Sequence, residues 1–213
     1  MKGKITFISG IDTDAGKTFA TGWLARTMRQ SGKNAITVKM IQTGNCGYSE
    51  DIEAHRKIMG EGMFPEDKEG LTAPQIFKYP SSAQLAARLE GRDVDLKAIE
   101  DAVDTLATKY EHVLVEGAGG LMVPLNDTLL CIDFVAAMGW PTLLTTSSRL
   151  GSINHTLLSI EALHRRSIAI EGLLYNTFHD SDSPEIAADT KAYLQRHFPN
   201  IPFIEIPVIP HAD

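Results

Sequence analysis

Short apolar runs rich in β-branched residues alternate along the chain with longer amphipathic segments. The short runs predict parallel strands that are buried on both faces, because their hydrophobicity is nearly continuous. The longer segments predict helices that pack against such a sheet. The predicted strands cover residues 5–9, 35–40, 112–115, 142–146, 168–175 and 203–206. The predicted helices cover residues 17–31, 49–59, 82–90, 96–109, 132–138, 153–165 and 184–197.

This pattern predicts one α/β domain over residues 1–213, because it contains no internal repeat, low-complexity tract or linker. The expected architecture has three layers, with a mostly parallel sheet and helices on both of its faces. Gly32 is expected to end the first helix, and Pro184 after Ser183 to begin the last one. The segment 60–80 is the least regular, and we expect it to run over the surface.

Composition and charge narrow the possible classes of protein. A hydrophobic fraction of 43% in 213 residues can form a substantial core. The formal net charge of -7, with Lys and Arg scattered along the chain, argues against nucleic-acid binding. Two cysteines are too few for a disulfide framework. Since the sequence also lacks a signal-peptide pattern and a membrane-spanning apolar run, we expect a soluble, cytoplasmic protein without a membrane partner.

A glycine-containing loop joins the first predicted strand to the first predicted helix. This loop, residues 10–18, reads GIDTDAGKT. Such a junction directs backbone N–H groups and the positive end of a helix dipole towards a phosphate. Gly16 is expected to let the backbone approach the phosphates, Lys17 to reach the β and γ oxygens, and Thr18 to bind Mg²⁺. Gly10 and Gly16 enclose five residues, one more than the usual pattern, so the sequence predicts a variant nucleotide-phosphate loop.

Charged residues lie at the ends of the next two predicted strands along the chain. Because burying an unpaired lysine is costly, Lys39 is expected to emerge into a cleft, although a solvent-facing lysine is an alternative. Glu116 ends the apolar run 112–115, which predicts a carboxylate at the sheet edge that can serve Mg²⁺ with Thr18. The alternative is an ordinary surface carboxylate. Since the carboxyl ends of parallel strands share one edge, these groups can converge on one cleft.

Several segments, in the order in which they occur, resemble the dethiobiotin synthetase family. The segments are Asp12-Thr13 in the loop, KMIQTG at 39–44, EGAGG at 116–120, RLGSINH at 149–155, Asn176, and EIP at 205–207. The resemblance therefore covers nearly the whole chain. Two positions depart from the family pattern, with Met40 where proline is usual and Ile11 where threonine is common. Neither position has a direct role in the chemistry that the resemblance implies.

The resemblance implies a P-loop NTPase-like fold and a cyclo-ligase reaction of biotin biosynthesis. In that reaction, 7,8-diaminononanoate and CO₂ form a carbamate, and ATP phosphorylates the carbamate to a carbamic-phosphoric anhydride. The second amine then closes the cyclic urea of dethiobiotin, and ADP and phosphate are released. The implied cofactor is Mg²⁺, bound with the co-substrate ATP. The implied assembly is a homodimer.

The resemblance also assigns roles to individual residues. The implied catalytic residues are Lys39, Lys17 and Thr13. The implied nucleotide-binding residues are Asp14, Ala15, Gly16, Lys17, Thr18, Glu116, Gly117, Ala118, Gly119, Asn176, Pro207 and Val208. The implied metal ligands are Thr18, Asp51 and Glu116. The implied substrate-binding residues are Thr13, Lys39, Thr43, Leu150, Gly151 and Asn154, the last three reaching the substrate of the neighbouring subunit.

Some of these assignments have structural alternatives. Asp51 can instead be an acid in the first turn of a helix, where its negative charge interacts favourably with the helix dipole. Glu50, the neighbouring residue, is another candidate metal ligand. Asn176 can be a turn-forming residue rather than a reader of the adenine edge. The segment 150–154 can be an ordinary glycine loop before a helix with an asparagine cap.

Two other functions share the predicted fold. A partition or site-placing ATPase usually carries a second lysine just after the first glycine of the loop, where this chain has Ile11. An amide-forming ligase of cobalamin synthesis needs a nucleophilic cysteine, and neither Cys46 nor Cys131 has a suitable context. The sequence thus favours the ring-closing ligase over both alternatives. It also contains no histidine pattern typical of a zinc site.

Overall fold

The computed structural model describes residues 2–208 of the chain. The strands are β1 Lys4–Gly10, β2 Ala35–Lys39, β3 Gln42–Thr43, β4 Ile76–Phe77, β5 His112–Gly120, β6 Thr142–Ser147, β7 Ile170–Asn176 and β8 Phe203–Ile206. The α-helices are α1 Lys17–Gln30, α2 Glu50–Met59, α3 Pro65–Lys68, α4 Ala83–Leu89, α5 Leu96–Lys109, α6 Cys131–Met138, α7 Ser152–Arg165 and α8 Pro184–His197. A 3₁₀ turn covers Thr177–His179.

Six strands form one sheet in the order β2-β5-β1-β6-β7-β8, and each pair within it is parallel. The order reverses on the two sides of β1, which lies between β5 and β6. In an open α/β sheet, this switch point creates a crevice at the carboxyl ends of the strands. Strands β3 and β4 form a separate parallel pair. The predicted parallel sheet is therefore confirmed.

Both faces of the sheet are buried, because successive strand residues enter different hydrophobic clusters. Phe7 packs in a core with residues of α4 to α8, whereas Ile8 packs in a second core with residues of α1 and α2. The same alternation occurs in β5, where Val113 and Val115 face the first core and Leu114 faces the second. Alternate side chains of a strand point to opposite faces. The three-layer architecture is confirmed.

The predicted long helices are found within one residue at each end. Local chemistry explains several of these boundaries. The Ser49 hydroxyl accepts a hydrogen bond from the Ile52 backbone N–H at 3.2 Å and caps α2. Gly32, at φ 85°, follows the C-cap of α1 as predicted. Pro184 occupies the first turn of α8, where its missing N–H costs no helical hydrogen bond.

Strand β7 begins later than predicted, at Ile170 rather than Ile168. The Ile168 N–H donates to the Leu163 carbonyl at 3.1 Å and closes the end of α7. Ser167, at φ 54°, supplies the left-handed residue that this closure requires. The Ile168 backbone therefore forms part of the end of α7, although its apolar side chain had predicted the start of a strand.

Strand β5 continues five residues beyond the predicted 112–115, to Gly120. The small residues after Glu116 do not form a loop, because β1 extends the pairing as far as Gly10 with Gly120. Lys39 of β2 pairs in register with Glu116 on the other side. The prediction that Glu116 follows the strand was wrong, and its side chain is fully buried.

The segment 60–80 is more deeply packed than the predicted surface excursion. Phe77 and Thr72 are buried, and α3 lies in this segment. The cause is a buried ion pair in which Arg56 of α2 donates to both carboxylate oxygens of Asp67, at 2.9 and 2.7 Å. Arg56 also donates to the Thr37 hydroxyl at 2.7 Å, which ties the segment to β2.

Replacing Asp67 with alanine is expected to lower the free energy of unfolding by about 3–5 kcal/mol, because Arg56 would keep a buried, uncompensated charge. Burial raises the pKa of Asp67, but hydrogen bonds from Arg56 and Thr72 outweigh burial and hold it below its ordinary value. The contribution of the ionised Asp67 carboxylate to the free energy of unfolding is therefore complete at pH values above the ordinary pKa. This contribution is lost as the pH falls through the lower pKa of the folded state.

Urea unfolding of the Asp67→Ala protein at neutral and acidic pH measures this effect. The control is Asp93→Ala, which changes an exposed acid and is expected to shift stability by less than about 0.5 kcal/mol. Equal midpoints for the two variants at neutral pH would contradict a stabilising role for the Arg56–Asp67 pair.

No α-helix within residues 2–208 is both long enough and apolar enough to cross a membrane. Cys46 is exposed and Cys131 is buried, and neither forms a disulfide.

Candidate active site

A cavity of about 270 Å³ lies at the carboxyl ends of β1, β2 and β5. This edge is next to the switch point of the sheet, where ligands bind in open α/β folds. Ten of the predicted site residues line the cavity: Thr13, Asp14, Lys17, Thr18, Lys39, Thr43, Asp51, Glu116, Ala118 and Gly119. Ile41 and Gln42, for which no role was predicted, complete the lining.

The loop after β1 folds around the side chain of Lys17, the first residue of α1. The Lys17 ammonium donates to the carbonyl oxygens of Asp12 and Thr13, each at 2.9 Å. Gly16 precedes the helix at φ 88°, a left-handed conformation that favours glycine. Burial and the nearby Lys39 charge lower the pKa of Lys17 to about 8. The loop thus holds a cation and the start of a helix at the cavity, as phosphate binding requires.

Three oxygen-bearing side chains meet beside this loop. The Thr18 hydroxyl lies 2.9 Å from Glu116 Oε1 and 3.1 Å from Asp51 Oδ1. Among the described residues, no three His, Cys, Asp or Glu side chains are grouped as a metal site. The oxygen cluster therefore consists of two carboxylates and one hydroxyl. Glu50, the other candidate ligand, is exposed and outside the cavity lining.

Lys39 bridges the two carboxylates of this cluster. Its ammonium lies 2.6 Å from Asp51 Oδ2 and 2.8 Å from Glu116 Oε1, and it also donates to the Gly117 carbonyl at 3.2 Å. The Lys39 side chain is only 7% exposed, so the alternative that Lys39 faces solvent was wrong. Lys39 is a buried cation at the cavity wall that two acids neutralise.

Burial and charge act in opposite directions on the ionisation of this cluster. Burial raises the pKa of Glu116, but the Lys39 ammonium and a hydrogen bond from His55 outweigh it and hold that pKa well below its ordinary value. Burial lowers the pKa of Lys39, whereas the charges of Glu116 and Asp51 raise it above its ordinary value. Both Glu116 and Lys39 are therefore charged at neutral pH.

The predicted base-binding residues lie beside the phosphate loop, outside the cavity lining. Asn176, at the end of β7, donates to the Ala15 carbonyl at 3.4 Å and accepts from the Phe178 N–H at 3.1 Å. It pairs in register with Ile206 of β8, directly before Pro207 and Val208. These residues therefore share one end of the sheet with the loop, and both Pro207 and Val208 are exposed.

The predicted substrate residues Leu150, Gly151 and Asn154 do not meet the others within this chain. They line a separate surface groove before and along α7, and Leu150 is 85% exposed. Their neighbour Arg149 reaches back to the phosphate loop, where it lies 2.8 Å from Asp12 Oδ2.

His55 contacts the predicted site residue Glu116, and Arg149 contacts Asp12 in the loop after β1, but neither was predicted to have a role. The His55 Nε2 atom lies 2.7 Å from Glu116 Oε2. The sequence could have indicated that His55 lies near the site, because His55 follows Asp51 by one helical turn and the two share a helix face. The contact of Arg149 with Asp12 joins distant parts of the chain, and no local pattern indicates it.

Comparisons with known proteins are consistent with this geometry. The solved structure of apo McdA from Cyanthece superposes with a TM-score of 0.57, covering 97% of this chain and 86% of that chain. At 13% identity, this likeness concerns the fold alone. A family model described as an AAA domain matches residues 4–211.

Curated relatives are much closer in sequence. The ATP-dependent dethiobiotin synthetase of Pasteurella multocida is 46% identical, over 94% of this chain and 95% of its own length. The corresponding enzyme of Chlorobaculum tepidum is also 46% identical, over 98% of this chain and 87% of its own length. A Haemophilus influenzae relative of the same name is 48% identical over 84% of this chain and 94% of its own length. The chain belongs to the dethiobiotin synthetase family.

Proposed function

We propose that this protein is an ATP-dependent ligase that converts 7,8-diaminononanoate and CO₂ to dethiobiotin, with release of ADP and phosphate. The observation that carries the proposal is the convergence of Lys17, Lys39 and the acids Asp51 and Glu116 on one cavity at the strand ends. Family membership supplies the substrate class. The reaction needs positioned charges around a phosphoryl group rather than a covalent nucleophile, and the cavity contains such charges.

The proposed chemistry has three steps. One amine of the substrate attacks CO₂ and loses a proton, which gives a carbamate. A carbamate oxygen then attacks the γ-phosphorus of ATP, ADP leaves, and a carbamic-phosphoric anhydride forms. The second amine attacks the carbonyl carbon of this anhydride and loses a proton, phosphate leaves with the electrons of the broken C–O bond, and the urea ring closes.

The residues of the phosphate loop bind and orient the reactants in this scheme. Lys17 would exchange its two loop carbonyl partners for β and γ oxygens of ATP. Lys39 would stabilise the transferring phosphoryl group from the opposite wall. Thr13 and Thr43, which face the same cavity, would hydrogen-bond the carbamate and align the diamine.

Thr18, Asp51 and Glu116 would hold Mg²⁺. The cluster fits this ion, because Mg²⁺ takes hard oxygen ligands, commonly one or two carboxylates together with phosphate oxygens. When bound, the ion would supply positive charge to the β and γ phosphate oxygens. Asn176, Pro207 and Val208 would bind the base of ATP. Asp14, Ala15, Gly16 and the segment 117–119 would surround the phosphates.

A homodimer is the proposed assembly. A groove of about 770 Å³ between the end of β5 and α7 is lined mostly by apolar residues, together with Ser159 and the charged residues Glu161, Arg165 and Arg166. Met122 and Leu158 there are 51% and 58% exposed. Exposed apolar patches of this kind mark interaction surfaces. In a dimer, Leu150, Gly151 and Asn154 would reach the substrate bound to the neighbouring subunit.

The cytosol is the proposed location.

Replacing Leu158 with lysine is expected to shift the protein from dimer to monomer, because a charge would be buried in the interface. Light scattering after size-exclusion chromatography measures the mass. Leu89→Lys is the matched control, since Leu89 has the same 58% exposure on another surface. A monomeric starting protein, or a dimer that tolerates Leu158→Lys, would contradict this assembly.

Phosphate release in the presence of Mg²⁺ tests the proposed function. The release is expected to depend on both 7,8-diaminononanoate and bicarbonate, because phosphoryl transfer requires the carbamate. Phosphate release that does not depend on the diamine but increases when DNA is added would instead indicate a partition ATPase and would overturn the proposal.

A further inference from the structure

His55 is a fully buried histidine at the edge of the candidate active site. It lies on α2, and its Nε2 atom is 2.7 Å from Oε2 of Glu116. The other oxygen of Glu116, Oε1, contacts the Thr18 hydroxyl and the Lys39 ammonium. The two oxygens of one carboxylate therefore have separate partners, with His55 on Oε2 and the Thr18 and Lys39 side chains on Oε1.

The chemistry of this contact sets the direction of its hydrogen bond. Glu116 also accepts from an ammonium and is ionised, so its carboxylate has no hydrogen to donate. The Nε2 atom of His55 must therefore carry the hydrogen and donate it. The Nδ1 atom is buried without a hydrogen-bond partner among residues 2–208, which leaves Glu116 as the polar contact of the ring.

The position of His55 on α2 links it to Asp51. The two residues are four positions apart, so they lie one above the other on the same face of the helix. Asp51 contacts the Thr18 hydroxyl directly, whereas His55 contacts the far oxygen of Glu116. One helix thus supplies an oxygen of the cluster and also orients the carboxylate that β5 supplies.

We propose that His55 is a positioning residue that fixes the Glu116 carboxylate so that Oε1 faces the Mg²⁺ bound with ATP. This inference rests on the magnesium site in the proposed function. Residues that orient metal ligands commonly change metal affinity by about 10- to 100-fold when they are replaced. A purely structural histidine would instead affect stability without changing the dependence of nucleotide binding on metal.

Two substitutions separate these roles. His55→Leu fills much of the same volume but removes the donor. His55→Gln keeps an amide N–H at a similar distance along the side chain. If His55→Leu fails to fold, His55→Asn replaces it, since its shorter amide does not reach Glu116 Oε2.

The measurement is the affinity for ADP by calorimetry, with Mg²⁺ and again with EDTA, after thermal unfolding has shown that each variant is folded. The gain in affinity caused by Mg²⁺ is expected to fall by about 10- to 100-fold in His55→Leu and to be largely restored in His55→Gln. Affinity in EDTA is expected to be unchanged in both variants.

An equal loss of ADP affinity with and without Mg²⁺ would overturn the inference, as would a His55→Gln protein that behaves like His55→Leu. If the unsubstituted protein gains no affinity from Mg²⁺, the magnesium site and this inference both fail. Phosphate release that depends on the diamine tests the proposed reaction separately, so the failures are distinguishable.

Discussion

Replacing Lys39 with alanine is expected to lower the rate of diamine-dependent ADP release by about 10²- to 10³-fold, with the fold retained. A preorganised donor aimed at developing charge contributes this much to many reactions. Lys39 is such a group, because Asp51 and Glu116 hold its ammonium at 2.6 and 2.8 Å on the cavity wall. The measurement is steady-state ADP release in the presence of diamine and bicarbonate.

The control for this substitution is Lys97→Ala, which removes a lysine whose side chain is 69% exposed. It is expected to leave the rate within about twofold, since exposed ion pairs contribute little. Circular dichroism shows whether the Lys39→Ala protein is folded. Normal ADP release by folded Lys39→Ala protein would refute the role assigned to Lys39.

Replacing Gly16 with alanine is expected to lower the turnover rate by about 10²-fold, because a small misplacement of reacting groups can cost this much. A Cβ atom at Gly16 would lie 2.1 Å from Asn176 Nδ2, so the loop or the Asn176 side chain must move. Gly16 also has φ 88°, which strains any other residue. The substitution therefore perturbs the phosphate loop and the proposed base-binding residue together.

Gly32→Ala is a matched control for the Gly16 substitution. Gly32 has nearly the same backbone conformation, φ 85°, but no neighbouring side chain or backbone atom lies within 4 Å of the position that a Cβ atom would take there. The control carries the backbone strain without the contact with Asn176, and its turnover is expected to be nearly normal. If both variants lose turnover equally, strain rather than close approach is the cause.

Local patterns in the sequence predicted the large elements well. Helix α5 was predicted at its observed bounds, because its apolar positions recur at helical spacing. In the structure the Asp95 side chain accepts a hydrogen bond from the Ala98 N–H and caps this helix. Strand β8 was also found at its predicted bounds. The meeting of Thr18, Asp51 and Glu116 was predicted by combining strand ends with the family resemblance, and the distances agree with that expectation.

Most of the features that were missed depend on contacts between different segments of the chain. Glycine-rich residues after Glu116 read as a loop, yet pairing with β1 extends the strand to Gly120. The buried Arg56–Asp67 pair joins α2 to an irregular segment, and charged residues ordinarily predict exposure. Ile168 is apolar and β-branched, but its backbone closes the preceding helix. In the first two cases a contact with another segment decided against the local signal, whereas in the third a hydrogen bond to Leu163 in the preceding helix did so.

The protein is proposed to make a cyclic urea from a diamine, CO₂ and ATP in the cavity at the carboxyl ends of β1, β2 and β5. The most direct test is to incubate the purified protein with ATP, Mg²⁺, 7,8-diaminononanoate and isotopically labelled bicarbonate, and to analyse the products by mass spectrometry. The predicted result is dethiobiotin that carries the label, formed in equal amount to ADP. Hydrolysis of ATP without labelled dethiobiotin would contradict the claim.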